Sequence, residues 1–295
     1  MKEALFSGSG CALVTPMLPD GSLHPEALGR LIDYQLAHST DALIVCGTTG
    51  EAATLSDEEQ RQVIDYSVKK AGGRVPVIAG AGSNCTEHAL RLCRQARDCG
   101  ANGLLCVTPY YNKSSQEGLV KHFETLADET ELPMILYNVP SRTGCNLLPK
   151  TVERLSRHPH IVGIKEASGN LSQVAEIAQL CGEDFAIYSG NDDQILPILS
   201  LGGKGVISVL ANVCPQEVHD ICRLYGSRLP EESRALQLRL LPLIRALFAD
   251  VNPIPVKEAL NQLGFSAGPC RLPLWHLEGR KREELLRCMK AVGVV

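Results

Sequence analysis

The stretch Ile161-Val-Gly-Ile-Lys165-Glu-Ala-Ser-Gly-Asn170 predicts a short, buried β-strand followed by a turn of small residues. Side chains alternate along a strand, so we expect Lys165 to share a face with Ile161 and Gly163. Glu166 then points to the opposite face and is poorly placed to pair with the lysine. A lysine among apolar neighbours loses part of its preference for the charged form, and the neutral amine is a nucleophile that condenses with carbonyl compounds. The stretch alone favours a lysine that reaches solvent at the strand end, because isolated lysines are common and catalytic ones are rare.

Seven other apolar segments resemble this strand, and helical patterns separate them. The eight predicted strands cover residues 11–17, 41–47, 75–80, 103–110, 132–139, 161–167, 185–189 and 205–210. Near-continuous apolar strands are typical of parallel sheets that are buried on both faces. Eight strand–helix units predict an α/β fold, a (β/α)8 TIM barrel, whose active site lies at the carboxyl ends of the strands. The alternative is an open doubly wound sheet, but no Gly-x-Gly-x-x-Gly turn follows the first strand.

The strand pattern stops after Arg228. We therefore expect residues 1–228 to form a catalytic barrel and residues 229–295 to form a C-terminal helical extension. Helices are predicted in this extension over residues 233–248, 256–263 and 280–292, with prolines at the joints. Within the barrel, the capping box Ser56-Asp-Glu-Glu59 predicts the start of the helix that follows the second strand.

The composition excludes several classes of protein. The chain has 295 residues, of which 44% are hydrophobic and 21% are charged, and its net charge is −4. This balance predicts a soluble globular protein that binds neither nucleic acid nor membranes. The first residues lack the pattern of a secretory signal, and the 12 cysteines are scattered without a Cys-x-x-Cys pair. We expect reduced thiols, a cytoplasmic location and no metal site.

Candidate site residues lie at the ends of the predicted strands, which a barrel gathers at one mouth. In chain order they are Thr48, Thr49, Tyr111, Tyr137, Arg142, Lys165, Gly190 and Ile207. Two hydroxyls between glycines suit a carboxylate, a tyrosine can relay protons, and an arginine can hold a second carboxylate. Taken singly, each has an ordinary explanation as a turn, a packed ring or a solvated charge. Their joint occurrence at strand ends favours a functional site.

Four motifs carry a resemblance to a known family. They are Gly47-Thr-Thr-Gly-Glu51, Tyr137-Asn-Val-Pro-Ser-Arg-Thr-Gly144, Ile164-Lys-Glu-Ala-Ser-Gly169 and Asn252-Pro-Ile-Pro-Val-Lys257. In this order they resemble the dihydrodipicolinate synthase family of pyruvate-dependent Schiff-base aldolases, which includes N-acetylneuraminate lyase. The resemblance runs from about Phe6 through the helical extension. Arg142 is the most discriminating residue, because the sugar-acid lyases of the family generally lack it.

The resemblance implies a lyase of lysine and diaminopimelate biosynthesis. Lys165 would form an imine with pyruvate, and the enamine derived from it would attack the aldehyde of L-aspartate 4-semialdehyde. Tyr137 would transfer protons, and Thr48 and Tyr111 would complete the relay, with Tyr111 reaching in from a neighbouring subunit. No cofactor is implied, because the protonated imine is itself the electron sink. The expected assembly is a homotetramer, a dimer of dimers.

The resemblance also implies how the substrates are held. Thr49 would bind the carboxylate of pyruvate, Ile207 would line the same pocket, and Gly190 would contact substrate. Arg142 would bind the carboxylate of the semialdehyde.

Two other functions stay open at this stage. One is an aldolase of the same family that acts on a sugar-derived 2-oxo acid, which would need a pocket without the arginine. The other is a barrel that binds pyruvate without catalysis.

A last implication concerns feedback by lysine. Lysine-inhibited members of the family bind lysine in a cleft at the dimer interface, where this chain keeps the polar residues Asn84 and Tyr110. At the position where those members place a glutamate that pairs with the ligand's amino group, this chain has His88. Where they often carry histidines on the preceding helix, this chain has Asp57 and Gln60. We therefore expect weak inhibition by lysine or none.

Overall fold

The computed structural model describes residues 2–294, and eight parallel strands of this part of the chain close into a barrel. The strands are β1 (Gly8–Ala12), β2 (Ala42–Val45), β3 (Val77–Gly80), β4 (Gly103–Val107), β5 (Met134–Asn138), β6 (Ile161–Glu166), β7 (Ala186–Ser189) and β8 (Gly205–Ser208). Each strand pairs with the next one along the chain, and β8 pairs with β1. The predicted (β/α)8 TIM barrel is confirmed, and the doubly wound alternative is wrong.

Helices cover the outside of the barrel and continue beyond it. Those of the barrel are α1 (Pro25–Ala37), α2 (Asp57–Ala71), α3 (Thr86–Asp98), α4 (Gln116–Thr130), α5 (Pro140–Thr143), α6 (Pro149–Leu155), α7 (Leu171–Cys181), α8 (Ile195–Ser200) and α9 (Pro215–Gly226). Helices α10 (Pro230–Leu247), α11 (Ile254–Gln262) and α12 (Gly279–Val292) follow. Since α10 packs against α9, the division at Arg228 stays a prediction. The capping box of α2 is confirmed, with Ser56 and Glu59 bonded in both directions.

Two separate apolar layers stabilise the fold. The larger layer lies between the sheet and the surrounding helices. The smaller one fills the inside of the barrel and includes Ile44, Ile78, Tyr137, Tyr188 and Ile207. The seam between β1 and β8 depends on a glycine, because a Cβ at Gly205 would lie 1.9 Å from the carbonyl oxygen of Gly8. Any larger residue at Gly205 would push the two strands apart.

The first strand lies earlier in the chain than predicted. We expected residues 11–17, whereas β1 is Gly8–Ala12. The inside of the barrel needs a glycine in this segment, since a Cβ at Gly10 would lie 2.6 Å from Ile44. The chain leaves the sheet before Pro16, which has no N–H group to donate. The strand at 103–110 likewise ends early, at Val107, before Pro109.

The alternation that we predicted for β6 is wrong at its first two residues. Ile161 packs in the outer layer and Val162 in the inner one, the reverse of the expected faces. The cause is a shift of register between β5 and β6, where Met134 pairs with Ile161 but the next residue pairs with Gly163. From Gly163 onward the alternation is regular, so the face expected for Lys165 is correct.

Two differences in helices matter for the site. Helix α5 was not predicted; it begins at Pro140, which has the fixed φ that suits the first turn. Between β7 and α8, where a helix alone was expected, the chain first forms a 3-10 turn, Asp192–Gln194. None of the helices between residues 2 and 294 is both long and apolar enough to cross a membrane.

Candidate active site

A cavity of about 460 Å³ opens at the carboxyl ends of the strands. Three of the predicted site residues line it, namely Thr48, Tyr137 and Arg142. It continues past Tyr110 towards His88, so the catalytic mouth and the cleft near α3 are parts of one space. Lys165, Thr49, Gly190, Ile207 and Tyr111 are not among its lining residues.

Lys165 lies directly beside Tyr137 in the sheet. The two residues are register partners on β5 and β6, and the side-chain nitrogen of Lys165 is 4.3 Å from the centre of the Tyr137 ring. Both side chains are buried, with Lys165 6% and Tyr137 7% exposed. Since Tyr137 lines the cavity, the amine lies immediately behind one of its walls. The amine of Lys165 and the phenol of Tyr137 therefore lie together at the carboxyl ends of two neighbouring strands.

Glu166 does not pair with Lys165, as expected from its position on the other face. Its carboxylate accepts hydrogen bonds from the side chains of Asn138 and Gln173, at 3.1 Å each, and from the backbone N–H of Ser168 at 2.8 Å. Glu166 therefore organises the turn after β6. Its charge is stabilised by hydrogen bonds on the outside of the barrel, and it forms no ion pair with the amine from that side.

Asp192 is a buried carboxylate that the sequence did not single out as a site residue. It is 2% exposed, and its Oδ2 accepts the backbone N–H groups of Val209 and Leu210, just after β8. Burial raises the pKa of the Asp192 carboxyl, and hydrogen bonds from Ser208 and these N–H groups, with the charge of Lys165, offset part of that rise. Asp192 fixes the chain next to Ile207 and adds negative potential near the amine.

The loop after β2 is held from the C-terminal extension. The side-chain nitrogen of Asn252 donates a hydrogen bond of 2.9 Å to the Thr49 hydroxyl, and both residues are buried. Further along the loop, the carboxylate of Glu51 lies 2.7 Å from the side-chain nitrogen of Lys257. Thr48, between β2 and these anchors, is left free to line the cavity.

Arg142 lies on the short helix α5. The Asn138 side chain accepts the N–H of Leu147 at 3.0 Å, and the Thr143 hydroxyl bonds the carbonyl of Cys145 at 2.9 Å, so the segment around α5 is closed at both ends. Arg142 itself is exposed and lines the cavity. A guanidinium on a fixed backbone at the rim is suited to a carboxylate that enters from solvent.

The remaining predicted residues lie apart from the cavity wall. Tyr111 is 90% exposed and has a left-handed backbone with φ of 72°, so its own subunit does not bring it to Tyr137. Ile207 is fully buried inside the barrel. Gly190 donates its N–H to the carbonyl of Glu166 at 2.8 Å, and a Cβ there would lie 2.5 Å from Ala167. Glycine is therefore required where β7 leaves the sheet.

Sequence reasoning missed two contributors. Asn252 belongs to a motif that we used only for its resemblance, and its contact with Thr49 joins residues far apart in the chain. Asp192 was not among the candidate residues at the strand ends. Among residues 2–294, no group of three or more His, Cys, Asp or Glu side chains is arranged to hold a metal ion.

Comparison with known proteins identifies the family. The model of the dihydrodipicolinate synthetase family matches residues 5–292. A 4-hydroxy-tetrahydrodipicolinate synthase of Caldicellulosiruptor bescii is 55% identical over 291 residues, which cover 99% of this chain and 98% of the relative. This agreement over the full length favours the synthase over the sugar-acid aldolase and the non-catalytic barrel.

Solved structures agree with this assignment. The dihydrodipicolinate synthase of Thermotoga maritima is 43% identical and superposes with a TM-score of 0.97, over 99% of this chain and 100% of that chain. A monomeric variant of a dihydrodipicolinate synthase, also 43% identical, superposes equally well, with a TM-score of 0.97 over 99% of this chain and 98% of that chain. With a closed barrel, a buried amine beside a tyrosine and an arginine at the rim, this chain belongs to the dihydrodipicolinate synthetase family.

Proposed function

We propose that the synthase activity of this family is carried out here through an imine on Lys165. The chain is a lyase of lysine and diaminopimelate biosynthesis that condenses pyruvate with L-aspartate 4-semialdehyde, the activity for which its full-length relatives are named. The observation that carries the residue assignment is the buried Lys165 amine, 4.3 Å from the Tyr137 ring and separated from the Glu166 carboxylate by the sheet. Glu166, the adjacent carboxylate, is bonded to other groups, and a lysine amine condenses with carbonyl compounds to give an imine.

The chemistry balances without an added reagent. The amine adds to the ketone of pyruvate and expels water, which gives a protonated imine. Loss of a proton from the methyl carbon gives an enamine, and this carbon forms a bond to the aldehyde carbon of the semialdehyde. The aldehyde oxygen takes up a proton. The amino group of the semialdehyde portion then adds to the imine carbon, and the bond from that carbon to the Lys165 nitrogen breaks, so the product leaves as a cyclic imine and Lys165 is restored as an amine.

Tyr137 is the group that transfers these protons. Its ring lies beside the amine and its side chain lines the cavity, so its hydroxyl is in the same compartment as the substrates. Thr48 lines that compartment too and links Tyr137 to the rim in the proposed relay. Tyr111 completes the relay from a second subunit, since its ring is exposed and does not line the cavity of its own subunit.

Two carboxylates are bound at different depths. Thr49, buried beside the cavity, binds the carboxylate of pyruvate close to Lys165, with Ile207 and Gly190 shaping the inner pocket. Arg142, exposed at the rim, binds the carboxylate of the semialdehyde, which arrives after the enamine has formed. A separate anion site for each substrate accounts for an arginine that has no role in the pyruvate half-reaction.

Reduction of the imine tests the assignment directly. Borohydride added together with pyruvate should convert Lys165 into a carboxyethyl-lysine, which mass spectrometry locates in the peptide that contains residues 161–170. Lys165→Ala should abolish the adduct and the turnover while the circular dichroism spectrum is unchanged. Lys150→Ala is the matched control, because this side chain is 73% exposed and lies on α6, away from the cavity.

An adduct on another lysine, or turnover by Lys165→Ala, would contradict the proposal. Activity with a sugar-derived 2-oxo acid but not with the semialdehyde would contradict the choice of second substrate.

The proposed assembly is a homotetramer built from two dimers, and the proposed location is the cytoplasm. The exposed, backbone-strained Tyr111 supports a neighbour at this surface. The solved monomeric variant indicates that the fold alone does not dictate the oligomer, so sedimentation velocity is the measurement that decides. The 12 cysteines are free thiols, as the proposed reducing compartment requires.

A further inference from the structure

The motif Asn252-Pro-Ile-Pro-Val-Lys257 reaches from the C-terminal extension into the loop that follows β2. Asn252 contacts Thr49, and Lys257 contacts Glu51, so two residues of the motif hold two residues of one loop. The contacts join parts of the chain separated by more than two hundred residues, 203 for the first pair and 206 for the second. The extension is therefore in direct contact with the loop that carries Thr48 and Thr49.

The contact between Lys257 and Glu51 is a fully partnered buried ion pair. The side chains are 2% and 1% exposed. The Lys257 nitrogen also donates to the carbonyl of Pro269 at 2.6 Å, and the other oxygen of Glu51 accepts the N–H of Arg271 at 2.9 Å. Glu51 has a left-handed backbone with φ of 56°, which a non-glycine residue adopts only when its surroundings hold it there. The ion pair fixes the far end of the loop.

The contact between Asn252 and Thr49 has a direction. The amide nitrogen of Asn252 donates to the threonine oxygen at 2.9 Å, so that oxygen acts as an acceptor in this bond. A hydroxyl has a single proton, and the proton of Thr49 is then directed elsewhere. The Asn252 oxygen is buried and has no hydrogen-bond partner within residues 2–294. The side chain of Asn252 is therefore bonded through its nitrogen, to Thr49.

Asn252 contacts both Thr49 and the open space of the site. It is 6% exposed, yet it lines the 460 Å³ cavity. Thr49 is 3% exposed and does not itself line that cavity. A change in the charge or polarity of Asn252 would consequently act on the anion that Thr49 binds.

We propose that Asn252 is a positioning residue, which holds the Thr49 hydroxyl so that its only proton is donated to the carboxylate of pyruvate. The inference rests on the proposed function, in which Thr49 binds that carboxylate. Asn252 touches neither reacting carbon; it acts through Thr49, and the ion pair of Lys257 and Glu51 keeps the loop at the required distance. The extension is in this way a part of the pyruvate site.

Steady-state kinetics separate this role from a structural one. Asn252→Ala should raise KM for pyruvate on the order of tenfold, the loss expected when a hydrogen bond to a charged group is weakened. It should leave kcat and KM for the semialdehyde within about twofold, because neither depends on the ground-state binding of pyruvate. Asn261→Ala is the matched control, since Asn261 bonds Gly268 in the same extension without contacting Thr49, and its KM for pyruvate should be unchanged.

Asn252→Asp tests the direction of the bond in a side chain of the same shape. A carboxylate accepts the Thr49 proton instead of donating to its oxygen, and it repels the pyruvate carboxylate. KM for pyruvate should rise further than in Asn252→Ala, and it should fall again as the pH is lowered and the new carboxyl is protonated. A merely structural role would give no such pH dependence. If Asn252→Ala does not fold, the pH dependence of KM for pyruvate in Asn252→Asp is sufficient to test the positioning role.

A double-mutant cycle completes the test. In a Thr49→Val background, Asn252→Ala should have no further effect on KM for pyruvate, because the group through which it acts is gone. Additive effects, or a normal KM for pyruvate in both Asn252 variants, would overturn the proposal. Borohydride trapping keeps this result apart from the proposed function: wild-type protein without an adduct at Lys165 rejects the function, whereas a normal adduct with an unaffected Asn252 variant rejects only the positioning role.

Discussion

The side-chain nitrogen of Lys165 lies 4.3 Å from the centre of the Tyr137 ring, and the two residues are direct partners across β5 and β6. The face of an aromatic ring attracts a cation, and a protonated imine is as much a cation as an ammonium. The ring can therefore stabilise the intermediate that the amine forms, while its hydroxyl remains available for proton transfer. The ring of Tyr137 and its hydroxyl can therefore have separate roles.

Tyr137→Phe separates these two parts, because it keeps the ring and removes the hydroxyl. We expect kcat to fall by roughly two to four decades, the usual range for a lost general acid–base group, while the protein folds normally. Borohydride adducts should still form, more slowly, since Lys165 is intact. Stopped assays of turnover and of adduct formation on the same sample measure both effects. An unchanged kcat would reduce Tyr137 to a packing residue.

Arg142→Ala should affect one substrate only. The exposed guanidinium at the rim of the cavity is proposed to hold the semialdehyde carboxylate, and loss of such a charged hydrogen bond weakens binding by about tenfold to a hundredfold. KM for the semialdehyde should rise by that factor, with KM for pyruvate and the yield of trapped imine nearly unchanged. Arg142→Lys is the companion variant, and it should recover only part of the loss because it lacks the bidentate geometry. Equal increases in both KM values would contradict the assignment.

The exposed Tyr111 leads to a mixing experiment. Lys165→Ala and Tyr111→Phe should each be nearly inactive alone. If Tyr111 serves the site of a neighbour, a mixed dimer contains one site with both Lys165 and a Tyr111 hydroxyl, and activity should return when the two variants are unfolded and refolded together. If Tyr111 serves its own site, every site in the mixture lacks one group. Absence of recovered activity in confirmed mixed dimers would reject the shared site.

What the sequence predicted well is local in the chain. The opposite faces of Lys165 and Glu166 follow from alternation within a single strand, and the start of α2 follows from the capping box. The reversed faces of Ile161 and Val162 were not predictable, because a register shift is a property of two paired strands. The contact of Asn252 with Thr49 spans 203 positions and has no local pattern at all.

A buried histidine predicts acid sensitivity of the fold. His122 on α4 is 5% exposed, with its Nδ1 2.9 Å from the Thr86 hydroxyl and its Nε2 without a partner within residues 2–294. Burial lowers the pKa of His122 from 6.5 to about 4. Between these values the unfolded chain binds a proton that the folded chain does not, so the stability present above the unfolded pKa is lost as the pH falls.

For this group we expect the free energy of unfolding to fall by about 2 kcal/mol between neutral pH and pH ~5. His122→Asn keeps an acceptor for Thr86 but cannot titrate. We expect this variant to be less stable at neutral pH, and its free energy of unfolding should not show the fall of about 2 kcal/mol towards pH ~5. Urea unfolding at a series of pH values measures the free energy of unfolding of both proteins. His276→Asn is the control, because His276 is exposed. If His122→Asn loses as much stability in acid as the wild-type protein, groups other than His122 cause the loss.

The last prediction is that L-lysine inhibits this enzyme weakly or not at all. The cleft that continues from the catalytic cavity contains His88 and Asp57, and Nε2 of His88 lies 2.9 Å from an Asp57 oxygen. Nδ1 of the same ring lies 3.1 Å from the Ser83 hydroxyl, so the imidazole is held on both sides. Glu87, the nearest other carboxylate along α3, is exposed and does not line the cavity.

An ammonium ligand that enters this cleft therefore meets an imidazole, and the Asp57 carboxylate that could receive it is already bonded to that imidazole. Lysine would have to compete with His88 for Asp57, and a lost charge-assisted hydrogen bond corresponds to an affinity about tenfold to a hundredfold lower. His88→Glu removes the competing ring and adds a carboxylate, so it should make the enzyme more sensitive to lysine by a comparable factor. Titration of lysine into the steady-state assay at saturating pyruvate compares the two proteins. Inhibition of the wild-type protein at sub-millimolar lysine, or an insensitive His88→Glu variant, would show that the imidazole does not set the affinity of this cleft.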